Sequence, residues 1–437
     1  MVDGFDTSPE VGTPNPASPA PAGGNAAECP EHESPFRFWV GVLSFVGVVI
    51  TFIDRVNLSV AAPDILRQFH LSRVVMGVAL SAFFWTYTVM QIPSGMMVDR
   101  VGLKKTFGWM YSSWGLVTAA TALVRSAPGL SFVRALLGFV EAPIYPGLVP
   151  VLRRWFREGE RALAMGAIGS GLAIGLSLGS VLAGALITAF GWQTMFVATG
   201  IISLLIGVLW LVTYRELSPR FREQGTGTRV GWGRLLRERN VWGLTLGYFG
   251  NNYSLYFFLT WLPSFFVSHF HFTILRASFF TGLVFVTGIL GKPFAGWLSG
   301  FFLRRGFTLT FSRKIIMVPA CILGMTVAVA AFTHNPYLAA ALIGVGETFS
   351  TTAGIVCWAT GADIAPPDHA GSVGGIMNTA AGLGGVVAPI LTGILLTATH
   401  TFIWPMVVAG LVLALSAVSY GLLVGEIKPM LAAGAEG

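Results

Sequence analysis

Apolar residues form long, nearly uninterrupted runs along most of the chain, and short polar stretches separate these runs. The runs lack the apolar–polar alternation of barrel strands, and each is long enough to cross about 30 Å of hydrocarbon as an α-helix. We therefore expect twelve transmembrane helices. Their approximate limits are residues 36–60, 73–97, 106–125, 128–150, 162–186, 192–214, 241–267, 274–300, 313–333, 336–360, 372–397 and 400–424.

Composition agrees with a polytopic membrane protein of the all-α class. The chain is 54% hydrophobic and 11% charged, whereas soluble domains carry about 25% charged residues. Its three cysteines show no metal-ligand spacing and its seven histidines are scattered, so we expect neither a metal site nor a cofactor.

The basic residues lie mainly in alternate connecting segments, including the arginine-rich stretch between Arg215 and Arg239. Because cytoplasmic loops of membrane proteins carry the excess of Lys and Arg, this bias predicts that both termini are cytoplasmic, in the inner (plasma) membrane. The formal charge of +7 is then explained by the excess of Lys and Arg in the cytoplasmic segments, so a nucleic-acid partner is not expected.

Five regions follow from these patterns. Residues 1–35, rich in Pro, Ala and Gly and charged only by acids, are predicted to form a disordered cytoplasmic tail. The polar segment 215–240 is predicted to link two six-helix bundles at 36–214 and 241–424, and residues 425–437 form a second cytoplasmic tail.

A weak internal repeat supports two related bundles. The stretch GMMVDRVGLKK at 95–105 resembles GWLSGFFLRRG at 296–306. Duplicated halves with a site between them are a transporter architecture.

Few ionisable residues fall inside the predicted helices, and each costs about 2.5–3.5 kcal/mol at a helix centre unless it is paired or hydrated. These ionisable residues are Asp54, Arg55, Arg134, Glu141, Lys292 and Glu347. Adjacent residues on a helix point about 100° apart, so Asp54 and Arg55 cannot simply form an ion pair with each other.

Counting residues along the first and fourth helices predicts which charges meet. With a first helix over 36–60, Asp54 and Arg55 lie near its outer end, level with Arg134. We therefore expect an Asp54–Arg134 pair and an isolated Glu141 about two turns deeper, where desolvation favours a neutral carboxyl. A purely structural ion-pair cluster is the alternative, but buried pairs stabilise poorly, so a functional cluster is favoured.

Lys292 could extend its amine to the inner face, and the role of Glu347 stays open. In the fifth helix, Gly171, Gly175 and Gly179 recur every four residues, which predicts close helix packing. Asn378 in the eleventh helix is expected to face a polar cavity, because a lipid-facing amide is costly.

The loop after the second helix resembles the signature of the major facilitator superfamily, and the match rests on residues 95–105. That resemblance implies a latch between the two bundles on the cytoplasmic side, in which Asp99 meets nearby cations. The predicted latch residues are Gly95, Asp99, Arg100, Gly102 and Lys104.

Within the superfamily the chain resembles the anion:cation symporters, which include sugar-acid transporters. The similar segments are Asp54-Arg55-x-Asn57, Tyr87 with Gln91-Ile-Pro93, Arg134 to Pro146, Leu259 to Pro263, and Asn378. The resemblance implies that Asp54 and Glu141 carry protons and that Arg134 is the partner of Asp54. The implied substrate contacts are Arg55, Tyr87 and Asn378, and the seventh helix adds Tyr248 and Asn252.

The resemblance thus predicts proton-coupled symport of a small organic anion such as galactonate, glucarate or a hexuronate, by a carrier that functions as a monomer in the bilayer. An aromatic or less hydroxylated carboxylate is the alternative, because Leu172 and Tyr248 stand where sugar-acid members often carry polar groups. Sodium in place of protons also stays open. A drug/proton antiporter is disfavoured since the fifth helix lacks the usual Gly-Pro element, and scattered histidines disfavour an enzyme.

Overall fold

A computed structural model describes residues 35–156, 158–215, 237–365 and 370–428, and the elements in these ranges are helical. Residues 1–34 of the predicted tail, residues 216–236 of the predicted linker and residues 429–437 of the second predicted tail lie outside these ranges. The helices are α1 Phe36–Gln68, α2 Arg73–Val101, α3 Leu103–Ala120, α4 Ala127–Glu141, α5 Ile144–Trp155, α6 Glu158–Thr213, α7 Arg239–Phe270, α8 Ile274–Arg304, α9 Leu309–Gly324, α10 Thr326–Ala330, α11 Pro336–Ile364, α12 Ala370–Thr399 and α13 Ile403–Val418.

Three local features divide the longer runs. Gly191 in α6 has φ 83° and ψ 162°, which only glycine adopts readily, so the chain reverses there into α6a (158–190) and α6b (192–213). Pro143 and Pro146 lack the N–H groups that would continue α4, so α4 ends at Glu141 and α5 begins beyond it. Gly102, at φ 91°, makes the sharp connection from α2 to α3.

Within the described ranges, nine segments are long and apolar enough to cross a membrane, which makes this a multi-pass membrane protein. Segment 164–213 counts once although it bends at Gly191, and α3 and α7 are not in this set. The nine are Phe36–Gln68, Arg73–Gln91, Ala127–Leu148, Ala164–Thr213, Ile274–Arg304, Leu309–Ala330, Pro336–Gly361, Val373–Thr399 and Ile403–Leu423.

Small residues set the packing of α1 against α6a, as their spacing predicts. A Cβ on Gly171 would lie 3.1 Å from the Phe45 carbonyl, and one on Gly175 would collide with the Val49 carbonyl. Gly179 faces the backbone of Ile53 in the same way. The two helices therefore pack almost backbone to backbone along their shared length.

The two halves of the chain, up to residue 215 and from residue 237, meet along α2 with α12, α6a with α8, and α1 with α7. We call the side where α1 begins the near side and the side where it ends the far side. On the far side the seams are tight: a Cβ on Gly77 would lie 2.5 Å from the Pro389 carbonyl oxygen, and one on Gly393 would lie 2.5 Å from that of Arg73.

Toward the near side the same helices leave open space. A Cβ on Gly166 or Gly169 of α6a, or on Gly288 of α8, would meet no atom of the described residues within 4 Å, apart from its own helix backbone and chain neighbours. The same holds for Gly375 near the start of α12. The halves are thus in backbone contact on the far side and leave these helix faces uncovered on the near side.

Candidate functional site

The centre of the site is an ion pair between α1 and α4. Arg55 donates from Nε to Glu141 Oε1 at 2.7 Å, and their side chains are 2% and 0% exposed. Arg55 Nη2 and Glu141 Oε2 have no hydrogen-bond partner within the described ranges. The pair is therefore fully desolvated while each member keeps unused hydrogen-bonding capacity.

Aromatic rings surround the guanidinium of Arg55. Its carbon Cζ lies 4.9 Å from the ring centre of Phe52, 4.8 Å from that of Phe83 and 4.6 Å from that of Tyr87. The quadrupole of an aromatic ring attracts a cation, so the rings hold the charge in place without neutralising it.

Asp54 faces away from Arg55, into the core of the N-terminal half. Its Oδ2 accepts from Trp114 Nε1 at 2.6 Å and from Ser203 Oγ at 2.9 Å, and its Oδ1 accepts from Asn57 Nδ2 at 3.0 Å. The amide of Asn57 also donates to Thr199. Three neutral donors from α1, α3 and α6b thus satisfy this carboxyl.

The predicted pairing of Asp54 with Arg134 is wrong for this structure, and so is the predicted isolation of Glu141. Neither side chain of the predicted pair bonds to the other, and Arg134 Nε and Nη1 have no partner among the described residues. The cause is the length of α1, which continues to Gln68 rather than residue 60. Asp54 and Arg55 therefore lie near the middle of a 33-residue helix, level with Glu141.

Aromatic and amide groups of the C-terminal half form the opposite wall. Tyr248 packs edge-on against Trp358 at 5.9 Å, and Asn252 donates to the Tyr248 carbonyl oxygen at 2.9 Å. A Cβ on Gly374 would touch the Trp358 ring at 3.0 Å. The half-buried Asn378 follows one turn later on α12, which places it on the same side as this wall.

Tyrosines connect the two walls. The ring of Tyr256 on α7 lies 4.3 Å from that of Phe84 on α2, across the boundary between the halves. The hydroxyls of Tyr87, Tyr145 and Tyr256 lie within electrostatic range of Arg55. Of the residues predicted to contact the substrate, Arg55 and Tyr87 contact each other in the N-terminal half. Tyr248, Asn252 and Asn378 lie in the C-terminal half.

The predicted latch is described only in part. Gly102 provides the turn between α2 and α3, Arg100 is exposed, and Lys104 is half-buried. The surroundings of Gly95 and the side chain of Asp99 lie outside the described part of the chain, as does the side chain of Lys292. The latch and the orientation of Lys292 therefore stay predictions.

The residues that bond Asp54 were not identified from the sequence. Trp114 and Ser203 come from distant helices, and helical periodicity gives a face but not the neighbour that meets it. Asn57 could have been found, because it lies three residues after Asp54 on one helix face.

Comparison with known proteins shows similarity to one protein family and to transporters within it. The Major Facilitator Superfamily model matches residues 44–380. The D-galactonate transporter of Escherichia coli O6:H1 is 31% identical over 90% of this chain and 96% of its own. The hexuronate transporter of Bacillus subtilis strain 168 is 29% identical over 84% of this chain and 89% of its own.

Solved structures share the fold. A bacterial homologue of the human lysosomal transporter Spinster, crystallised in an inward-facing and unoccupied conformation, superposes with a TM-score of 0.75. It covers 90% of this chain and 98% of its own, at 18% sequence identity. At that identity the likeness concerns the fold alone.

Proposed function

Because the chain belongs to the Major Facilitator Superfamily, we propose that it is a secondary transporter that takes up a small organic anion together with protons. The observation that carries this proposal is the buried Arg55–Glu141 pair. Such a pair contributes little net stability, since desolvation offsets its Coulombic gain. Its unused donor on Arg55 is suited to a second carboxylate, that of a substrate.

The pair also gives a route from proton binding to anion binding. When Glu141 is ionised, it occupies the Nε donor of Arg55. When Glu141 takes up a proton, its attraction for the guanidinium falls and the donors of Arg55 become available to a substrate carboxylate. A bound proton and a bound anion therefore favour each other, as symport requires.

Asp54 and Arg134 complete the proposed coupling group. Asp54 is held by neutral donors and Arg134 has unused donors, so a change in protonation of Asp54 alters the balance of four buried charges. We expect Arg134 to approach Asp54 or the substrate in another state of the cycle. A structure of the opposite conformation would test this arrangement.

The relatives support a sugar acid as the substrate, of galactonate, glucarate or hexuronate type. The wall formed by Tyr248, Asn252 and Asn378 would contact its hydroxyl groups. The three aromatic rings around Arg55 favour a second candidate, a flat aromatic carboxylate, because they offer few hydrogen bonds. The two substrate classes would share the same anchor on Arg55.

The proposed topology has twelve transmembrane helices in two six-helix bundles, with both termini in the cytoplasm of the inner membrane. The reversal at Gly191 divides segment 164–213 into two crossings, and α3 and α7 supply two more. In this topology the near side is cytoplasmic. The tight far-side seams and the uncovered near-side glycines then support an inward-open state of an alternating-access cycle.

Uptake into proteoliposomes tests the function. We expect radiolabelled galactonate or glucarate to accumulate when the vesicle interior is made alkaline, and accumulation to stop when a protonophore dissipates the gradient. Parallel vesicles with benzoate-type acids decide between the two substrate classes, and a sodium gradient at equal pH tests sodium coupling. Equal uptake by empty liposomes for every acid tested would exclude a transport function for these anions.

A further inference from the structure

The C-terminal half contains a buried carboxyl that the proposed mechanism does not use. Glu347 on α11 is 3% exposed, and one of its oxygens, Oε1, accepts from Ser254 Oγ at 2.8 Å. Its Oε2 has no hydrogen-bond partner within the described ranges. A carboxylate with a single neutral donor is poorly compensated at membrane depth, whereas a protonated carboxyl needs no counter-charge.

Glu347 is the counterpart of Glu141 in the internal repeat. The segment ALLGFVE at 135–141 matches ALIGVGE at 341–347, and both end in the glutamate. The neighbouring helices repeat the same contact: a Cβ on Gly138 would lie 2.6 Å from the Thr86 hydroxyl of α2, and one on the corresponding Gly344 would lie 3.1 Å from the Thr287 hydroxyl of α8. The two acids thus occupy equivalent positions in the two halves.

A small cavity of about 20 Å³ adjoins Glu347. That volume holds about one water molecule and is far too small for a sugar acid. Its wall is apolar except for Glu347 and Thr351, whereas hard cations are held by six or more oxygen ligands. The ligand that fits this site is a proton. The lining residues are Leu172, Ala173, Leu255, Val284, Phe285, Gly288, Glu347 and Thr351.

The cavity lies where the seam between α6a and α8 changes from closed to open. On its far side, a Cβ on Gly282 would lie 2.9 Å from the Ser177 carbonyl, and Gly184 meets Ser278. A Cβ on Gly288, which lines the cavity, or on Gly169 toward the near side, would meet no described atom within 4 Å beyond its own helix backbone and chain neighbours. Movement of this seam would therefore change the access of water to Glu347.

We propose that Glu347 is a further proton-binding site of the carrier, in addition to Glu141 and Asp54, which holds a proton in this conformation and exchanges it when the α6a–α8 seam moves. The inference rests on the proposed proton-coupled function. Ser254 on α7 and Thr351 on α11 are the polar groups facing Glu347, and none of the other described lining residues of α6a, α7 and α8 is titratable. Protonation of Glu347 is thus governed by its own access to water.

Infrared spectroscopy of the purified protein in lipid tests the protonation without any substrate. At neutral pH we expect a carboxylic C=O band that Glu347→Gln removes and that the matched variant Glu141→Gln leaves in place. Ser254→Ala removes the one hydrogen bond to this carboxyl, so it should shift the band to higher frequency. If Glu347→Gln fails to fold, the shift of the C=O band in Ser254→Ala decides whether the band belongs to a protonated Glu347. Carboxylate bands in place of the C=O band, or no shift in Ser254→Ala, would overturn the proposal.

Coupling stoichiometry tests the transport role. In proteoliposomes held at a fixed pH gradient, loss of one coupled proton lowers the maximal accumulation of substrate about tenfold per pH unit. We expect that loss in Glu347→Gln. Wild-type accumulation without proton coupling would refute the proposed function, and the infrared result would still decide the protonation of Glu347. Proton-coupled uptake with equal accumulation by wild type and Glu347→Gln would refute a role of Glu347 in coupling.

Discussion

In the N-terminal half the carboxyl of Glu141 accepts from the Arg55 guanidinium at 2.7 Å, whereas in the C-terminal half that of Glu347 accepts from the Ser254 hydroxyl at 2.8 Å. The positions are equivalent, but one acid faces a cation and the other a neutral donor. A carboxyl beside a cation can ionise and compete for it, whereas one without a cation is stable mainly when protonated. The comparison indicates that the internal repeat places a glutamate at the same position in both halves, while the group that hydrogen-bonds to it differs in charge.

The cores of the halves differ in the same way. Asp54 on α1 accepts from Trp114 and Ser203, and Asn251 on α7 accepts from Tyr420 at 2.6 Å. In the N-terminal core the buried acceptor is thus a carboxyl, whereas in the C-terminal core the acceptor on Asn251 is an amide. Four of the buried ionisable residues in the described ranges, Asp54, Arg55, Arg134 and Glu141, lie in the N-terminal half, whereas Glu347 lies in the C-terminal half.

The largest expected effect comes from Glu141→Gln. Glutamine keeps the shape and one acceptor for Arg55 but cannot release a proton, so pH-driven uphill uptake should be abolished while substrate exchange continues. Counterflow and pH-jump uptake in proteoliposomes measure the two activities. The matched control is Glu426→Gln, an exposed acid near the end of the chain, which should transport as wild type. Full pH-driven uptake by Glu141→Gln would show that Glu141 has only a structural role in the contact between α1 and α4.

Arg55→Lys should weaken substrate binding tenfold or more. An ammonium cannot present two parallel donors to a carboxylate, and the loss corresponds to about 1.4 kcal/mol. Calorimetric titration with the transported acid measures it, with Arg304→Lys on the exposed end of α8 as the control. If Arg55→Lys bound the substrate as tightly as Arg304→Lys does, Arg55 would not be a substrate-binding residue.

A packing prediction contrasts two glycines of α6a. Gly175→Ala places a methyl group against the Val49 carbonyl of α1, so we expect a loss of about 1–3 kcal/mol from overpacking. Gly169→Ala enters open space and should be neutral or slightly stabilising in this conformation. Thermal unfolding in detergent compares them, and equal melting temperatures would contradict the close approach of α1 and α6a.

A last pair of variants compares the two cores by removing one oxygen from each. Ser203→Ala deletes a donor to the carboxyl of Asp54 and should cost about 1.5–3 kcal/mol if Asp54 is ionised. Tyr420→Phe deletes a donor to the amide of Asn251 and should cost about 0.5–1.5 kcal/mol. Unfolding measurements that give the reverse order would mean that Asp54 is neutral in the folded protein.

The sequence correctly predicted an all-helical membrane fold, because a long apolar run in hydrocarbon must satisfy its backbone hydrogen bonds within its own helix. The glycine spacing at 171, 175 and 179 correctly predicted close packing, although not the partner α1. The predicted pairing of Asp54 with Arg134 was wrong, because α1 continues through residues 61–68. Asp54 therefore lies near the middle of the helix and not near its outer end. Contacts such as Trp114 with Asp54 depend on which helices are neighbours, which no local pattern contains.

The far-side seam between α2 and α12 consists largely of main-chain surfaces, with Gly77 against Pro389 and Gly393 against Arg73. Dispersion between such surfaces loses a quarter to a half of its strength over a gap of about 0.5–1 Å. A partly separated seam would thus lose up to about half of this attraction without admitting a substrate. The passage between closed and open should consequently be abrupt, with few half-open molecules through which ions could leak.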